Sequence, residues 1–238
     1  MVLLLLIYVK LANIEIRNVG VNMFYNMDCF ELLKKIKDKS IDLVLTDPPY
    51  LMQYKTNHRK NKKHEFCTEI AGDKDFDIEK YLKECYRVLK DNTGIYVFCN
   101  SNKVDIFKIA FEKYFKLKNI IVWVKNNWTA GDLKGAFGKQ YELILYVNKG
   151  RKLINGKRIT NVWKFNRVVG KNQLHQNQKP VDLLELCIEK SSDEGDIVFD
   201  GCAGSGSTVM ACRNLKRNFT GCKINKECFD KAKERLGF

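Results

Sequence analysis

The chain has 238 residues, 45% hydrophobic and 29% charged, which excludes a disordered or fibrous protein and leaves ample length for a buried core. Lys and Arg number 42 against 28 Asp and Glu, a net charge of +14 that suits a polyanionic partner or a strongly solvated surface. Three prolines and no Gly/Ser tract exclude a second domain on a tether.

The apolar run 1–9 is too short to span a bilayer, so no membrane anchor is expected. It also lacks the basic start and small-residue cleavage site of a secretion signal. Residues 23–28 already read as a strand entering a turn. We therefore expect 1–22 to be a dispensable N-terminal extension and 23–238 to be the folded domain. From there, apolar runs alternate with amphipathic segments. Residues 31–37 read as a helix, and 41–46 as a strand that stops at Asp47-Pro48-Pro49-Tyr50. Residues 78–90 carry Ile78, Tyr81, Leu82, Cys85, Val88 and Leu89 at helical spacing. The run 94–99 is a strand apolar enough to be buried on both faces. A helix at 104–115 follows, then strands at 119–125 and 141–147 joined by a Gly-rich loop. After a polar, basic stretch at 149–177 come a helix at 181–191, a strand at 196–199 and a Gly-rich turn opening a helix to about 215. A strand at 219–224 and a helix at 226–236 finish the chain. This alternation predicts an α/β fold, a doubly wound and mostly parallel sheet with a small basic insert.

Nine cysteines, an odd number with no C-x-x-C spacing, mostly lie inside apolar runs. That pattern predicts reduced thiols and a cytoplasmic protein. His58, His64 and His175 are too scattered to hold a metal, so none is expected.

Two motifs carry chemistry. Asp47-Pro48-Pro49-Tyr50 ends an apolar strand, where open α/β sheets face their ligand crevice. Two prolines fix the backbone and remove two N–H donors, which leaves a rigid turn of acceptors followed by an aromatic ring. Such a turn suits a flat group bearing an NH2, although it is also ordinary turn chemistry. The second motif is Phe199-Asp200-Gly201-Cys202-Ala203-Gly204-Ser205-Gly206-Ser207-Thr208, between a strand and a helix. Its glycines let a ligand approach the backbone, and the helix start favours a negative group. The glycine spacing reverses that of a dinucleotide fingerprint, and no Walker lysine follows.

Together the motifs resemble the DNA amino-methyltransferases, which move a methyl group from S-adenosylmethionine to an exocyclic base nitrogen. Asp47-Pro48-Pro49-Tyr50 is similar to that family's catalytic tetrapeptide, and 199–208 to its cofactor loop. The stretch 175–180 resembles the segment before that loop, and Asn26-Met27-Asp28-Cys29 the element whose acid holds the cofactor adenine. The catalytic motif precedes the cofactor loop, the circularly permuted order of the family's β group, and the resemblance runs from about residue 23 to the end.

The resemblance implies a Rossmann-like methyltransferase fold and S-adenosylmethionine as cofactor. It implies catalytic roles for Asp47, Pro48, Pro49 and Tyr50: Asp47 and the Pro48 carbonyl accept from the target amine, and Tyr50 stacks on the extruded base. It places Asp28 and Cys29 at the adenine. Gln178, Lys179, Asp200, Gly201, Gly204, Ser205, Gly206 and Thr208 then shape the methionine end. Lys223 stands where the family carries an acid for the ribose hydroxyls. A lysine cannot accept from two hydroxyls, so weakened cofactor binding is expected unless Asn225 or Glu227 substitutes.

Double-stranded DNA is the expected partner. Lys55, Arg59, Lys60, Lys62 and Lys63 in the basic loop 51–72 are candidate phosphate contacts. So are Arg151, Lys157, Arg158, Lys164 and Arg167 in the insert 149–177, with Trp163 and Phe165 among them. That insert is the candidate target-recognition element; it is short, so either the recognised sequence is short or part of the reading comes from 51–72 and 127–139. The implied activity is adenine-N6 methylation, and a cognate restriction enzyme is a further partner to look for. Cytosine-N4 methylation is the nearest alternative. A DNA-binding protein with a defective cofactor site is the alternative from another class.

Overall fold

The computed structural model describes residues 20–50, 75–128, 132–170, 173 and 177–237. Among them, eight strands form one sheet in the order β1-β8-β7-β2-β3-β5-β4-β6. The strands are β1 (Met23–Tyr25), β2 (Ile41–Thr46), β3 (Leu89–Cys99), β4 (Lys116–Val124), β5 (Tyr141–Lys149), β6 (Val162–Lys164), β7 (Ile197–Asp200) and β8 (Asn218–Cys222). The helices are α1 (Cys29–Lys35), α2 (Ile78–Val88), α3 (Val104–Glu112), α4 (Val181–Ser191), α5 (Ser207–Asn214) and α6 (Lys226–Leu236). Five of the seven pairings are parallel, and β5 runs antiparallel between β3 and β4. The mostly parallel, doubly wound sheet expected from the sequence is therefore present.

Alternation along the central strands produces the layers. Val44, Ile95 and Val97 join Leu32, Leu33, Leu82, Val88, Phe107 and Phe111 in a core beneath α1, α2 and α3. Leu43, Leu45, Tyr96 and Phe98 face the other way, toward Leu183, Ile188, Val209 and Leu236 of α4, α5 and α6. Truncating a fully buried leucine such as Leu33 costs about 2–5 kcal/mol, because the surroundings collapse only partly into the hole. Polar side chains start the helices: Asp28 accepts from the Phe30 and Glu31 amides, Asp77 from Lys80 and Asn225 from Cys228.

Two elements depart from the sequence reading. The stretch 149–177, a polar and basic insert in the sequence, carries a strand that its pattern does not show: Val162–Lys164 pairs in parallel with Val122–Val124 and becomes the sheet edge. Three residues are too short for periodicity to reveal, and the pairing is long-range. Seven described cysteines are free thiols, as expected, but Cys228 is disulfide-bonded, which corrects the reading of reduced thiols throughout. No described helix is long and apolar enough to cross a membrane.

The chain winds outward in two directions from the middle of the sheet. β2 leads through α2 to β3 on one side, and β7 through α5 to β8 on the other. β2 and β7 are adjacent and parallel, so their carboxyl ends flank the topological switch point, where such sheets bind ligands.

Candidate active site

Asp47-Pro48-Pro49-Tyr50 leaves the carboxyl end of β2 at that switch point. Both Asp47 oxygens are occupied: the Tyr50 hydroxyl donates to Oδ1 at 2.5 Å and the Lys179 ammonium to Oδ2 at 2.6 Å. Lys179 also lies 3.2 Å from Glu142 Oε2 and 3.3 Å from the Tyr50 hydroxyl, and it faces the Phe98 ring at 5.0 Å. Its side chain is only 6% exposed. Lys125 binds the other Glu142 oxygen.

The result is a line of alternating charge, Lys125–Glu142–Lys179–Asp47, drawn from the end of β4, the start of β5, the approach to α4 and the end of β2. Burial alone would raise the Glu142 carboxyl, but Lys179 and Lys125 outweigh it and hold the group below its ordinary value. Burial would lower the Lys179 ammonium, but Asp47 and Glu142 outweigh it and hold the group above. Both groups are thus ionised at neutral pH. Burial, then the Asp47 and Glu142 charges, push the Tyr50 hydroxyl well up, so it remains a donor. Beside them the Cys99 thiol is pushed up to about 12, by burial first, and stays neutral.

Glu142 and Lys125 were not among the sequence candidates. Each stands alone, with no local motif, and only the antiparallel β4–β5 pairing brings them to Lys179. The single available signal was an acid at the mouth of an apolar strand. The resemblance implied that Lys179 shapes the methionine end; the structure places its ammonium on Asp47. Gln178 is buried beside it.

The second half of the crevice is the turn after β7. Asp200 Oδ2 accepts from the Thr208 hydroxyl at 2.6 Å, and Oδ1 from the Cys202 amide at 2.9 Å. Burial raises the Asp200 carboxyl from 3.8 to about 6, against those hydrogen bonds. Gly201 has a steric reason: a Cβ there would meet the Tyr81 hydroxyl at 2.6 Å and Cys29 Cβ at 3.2 Å. Gly206 starts α5 in the left-handed region, at φ 77°, with Leu236 2.7 Å from where a Cβ would lie. Gly204, at φ 50°, also lies in that region. Arg235 of α6 braces the turn from behind, donating to the Ser205 carbonyl and to the hydroxyls of Ser205 and Ser207. Ser205 and Thr208 are thus buried and used within the protein.

These residues fit a zwitterionic nucleoside cofactor. The start of α5 has no side-chain cap, so its amides are available to a carboxylate. Across β8, Asp28 caps α1 through Oδ1 alone. Cys29 is buried beneath Gly201. Lys223 follows β8, its amide bonded to the Tyr25 carbonyl. Neither suggested substitute is idle: Asn225 caps α6, and Glu227 pairs with Lys231.

The basic candidates separate. Lys55, Arg59, Lys60, Lys62 and Lys63 lie outside the described residues. Lys164 ends β6 at the Asp47 end of the sheet, and the Arg167 amide bonds Asn126 just past β4 at that same end. Arg151 and Lys157 are at the opposite end: the Arg151 amide bonds Asn92 before the core of β3, and the Lys157 carbonyl meets Lys190 at the end of α4. Arg158 lies on the stretch between. Trp163, which lies among these basic residues in the sequence, is buried, with its indole N–H on the Thr160 carbonyl. Phe165 packs partly buried against the same core. At the catalytic end, Trp128, Leu133 and Phe137 are exposed, beside Lys134 and Lys139. No group of metal-ligating side chains occurs among the described residues.

The DNA methylase family model matches residues 41–234. The Type II methyltransferase M.HpaI of Haemophilus parainfluenzae is 33% identical over 239 residues, covering 88% of this chain and 72% of that protein. The DNA adenine methyltransferase YhdJ of Escherichia coli (strain K12) is 30% identical over 246 residues, covering 88% of this chain and 80% of that one. Among solved structures, the M1.HpyAVI–SAM complex matches with a TM-score of 0.68 at 27% identity, covering 90% of this chain and 99% of that chain.

Proposed function

This chain belongs to the DNA methylase family, an S-adenosylmethionine-dependent group, and we propose that it methylates the N6 nitrogen of an adenine extruded from duplex DNA. The observation that carries this reading is the meeting of Asp47-Pro48-Pro49-Tyr50 with the glycine turn of β7 at the switch point. Aspartate at the first motif position favours adenine over cytosine, as does the similarity to an adenine methyltransferase.

The bound cofactor supplies an electrophilic methyl group on a sulfonium. Asp28 would hold its adenine and the 200–206 turn its methionine end. The chain's own task is to fix the target nitrogen, which is mainly positioning and electrostatics. Asp47 and the Pro48 carbonyl accept from the two amine N–H bonds, which draws the nitrogen lone pair out of ring conjugation. That lone pair would take the methyl as its bond to the sulfonium breaks, the electron pair staying with sulfur, and Asp47 gives one amine proton a path to solvent. Tyr50 stacks on the base, which must leave the duplex to arrive there.

Lys164, Arg167 and the exposed 132–139 segment face the DNA in this reading. Arg151 and Lys157, at the far end of the sheet, do not touch the duplex that reaches Asp47. The resemblance to Type II enzymes supports a restriction endonuclease of matching specificity as partner. Sequencing DNA from cells that express the protein, by a method that reads methylated bases directly, tests the base and its context together. N6-methyladenine at one short motif, lost with Asp47→Ala, is the expected result; N4-methylcytosine there overturns the adenine assignment. Lys223→Glu should tighten cofactor binding about tenfold in isothermal titration, a carboxylate being worth ~1.5 kcal/mol to hydroxyl donors. No gain means that Lys223 costs the site nothing.

A further inference from the structure

Each Asp47 oxygen already accepts one hydrogen bond, so the two occupants decide the direction from which a target amine can bind. The two occupants are not equally movable. Lys179 is buried between two carboxylates, and Lys125 locks the second of these from behind. Withdrawing Lys179 would leave Asp47 and Glu142 facing each other with no cation between them, which low-dielectric surroundings penalise heavily. Tyr50 is less buried, and its hydroxyl can exchange Asp47 for water when the ring turns.

We propose that Lys179 is a positioning residue for methyl transfer: anchored by Glu142, it keeps Asp47 Oδ2 fixed, while the Tyr50 hydroxyl holds Oδ1 in place of the target amine until the base arrives. The proposal rests on the DNA methyltransferase reading and adds an atom-level order to it. When the base enters, the Tyr50 ring moves from capping Oδ1 to stacking, and the amine takes Oδ1 alone. Lys179 stays, so the carboxylate cannot rotate and presents one oxygen along one direction. A carboxylate free to rotate would present either oxygen and lose the near-attack geometry. The role is distinct from a cofactor contact, because the Lys179 ammonium bonds Asp47 and Tyr50 and pairs with Glu142 on the catalytic side of the crevice, its other hydrogen bond being a 3.5 Å one to the Asn177 carbonyl.

Three variants test it: Lys179→Gln, Glu142→Gln and the double variant, which restores charge balance. The substrate is a duplex carrying the wild-type protein's own methylation site, with 2-aminopurine in place of the target base for the fluorescence arm. Lys179→Gln should lower the single-turnover rate about 100-fold while KM for DNA, the 2-aminopurine enhancement and cofactor affinity each stay within about threefold. Glu142→Gln should lower the rate less, about tenfold, since Lys179 keeps its bond to Asp47. The double variant should recover melting temperature without recovering rate, which separates positioning from a merely structural role. A wild-type rate in Lys179→Gln overturns the proposal. So does a tenfold loss of cofactor affinity, which would make Lys179 a cofactor contact, or a double variant that regains rate along with stability. If the wild-type protein itself methylates no DNA, it is the parent reading that fails.

Discussion

Two aspartates end adjacent strands and live under different rules. Asp47 closes β2, bound to a buried ammonium and a tyrosine hydroxyl. Asp200 closes β7, bound to a threonine hydroxyl and a backbone amide, with no cation bonded to it among the described residues. Burial therefore pushes the Asp200 carboxyl up to about 6. The same side chain serves two ends. Where a fixed cation accompanies it, the carboxylate is held in one orientation for a reaction; where neutral donors surround it, it ties a turn together. Neighbouring groups with environments pulled apart in this way mark the division of labour within a site.

The largest expected effect comes from neutralising the first of the pair. Asp47→Asn keeps the shape but removes the acceptor charge, and should cost about 1,000-fold in single-turnover methylation, with a lower melting temperature because the buried Lys179 loses one of its two carboxylates. A comparable loss of rate from a well-folded Asp200→Asn would break the comparison.

Gly206→Ala comes next. Its left-handed φ and the nearby Leu236 side chain make any Cβ strained, for a stability loss of about 1–3 kcal/mol. Thermal unfolding should show it, with cofactor affinity falling as well because the same turn starts α5. An unchanged melting temperature would mean that the turn relaxes freely.

The pH dependence of Asp200 is smaller and has a definite sign. Its folded value lies above its ordinary one, 3.8 raised to about 6, so the native state holds a proton that the unfolded chain has already released. Its contribution to stability is full below about pH 4, declines as pH rises, and is flat above about pH 6. The difference in melting temperature between wild type and Asp200→Asn should follow that curve. A difference that grows with pH contradicts the neutral-donor environment that separates Asp200 from Asp47.

The smallest effect concerns the edge far from both aspartates. Removing residues 1–22 deletes Asn22, which exchanges backbone and side-chain hydrogen bonds with Asn218 and Phe219 of β8. A loss of about 1–2 kcal/mol is expected, with folding and cofactor binding retained. A chain starting at Met23 that fails to fold would show that the edge supports the β7 turn.

Much of the fold was legible because its elements are long and locally patterned. The helical spacing of Ile78, Tyr81, Leu82, Cys85 and Val88 and the apolar strands around 41–46 and 94–99 needed no partner to be recognised. β6 was not legible, since three residues carry no period and only Val122–Val124 make them a strand. The same applies to charge. Arg151 and Arg167 look alike in the sequence, sixteen positions apart in one basic stretch, yet β5 and β6 carry them to opposite ends of the sheet.

By itself the sequence determined the strand–helix alternation, the rigid acceptor turn at Asp47-Pro48-Pro49-Tyr50 and the glycine turn at 201–206. Each is written in contiguous residues whose backbone preferences are local. Only the tertiary structure decided that Lys179 lies on Asp47, that Glu142 and Lys125 neutralise and hold it, and that Asp200 lies beyond that line of charge. Those contacts join residues separated by up to 132 positions, and electrostatic coupling depends on distance in space and exclusion of water, neither of which a linear pattern records.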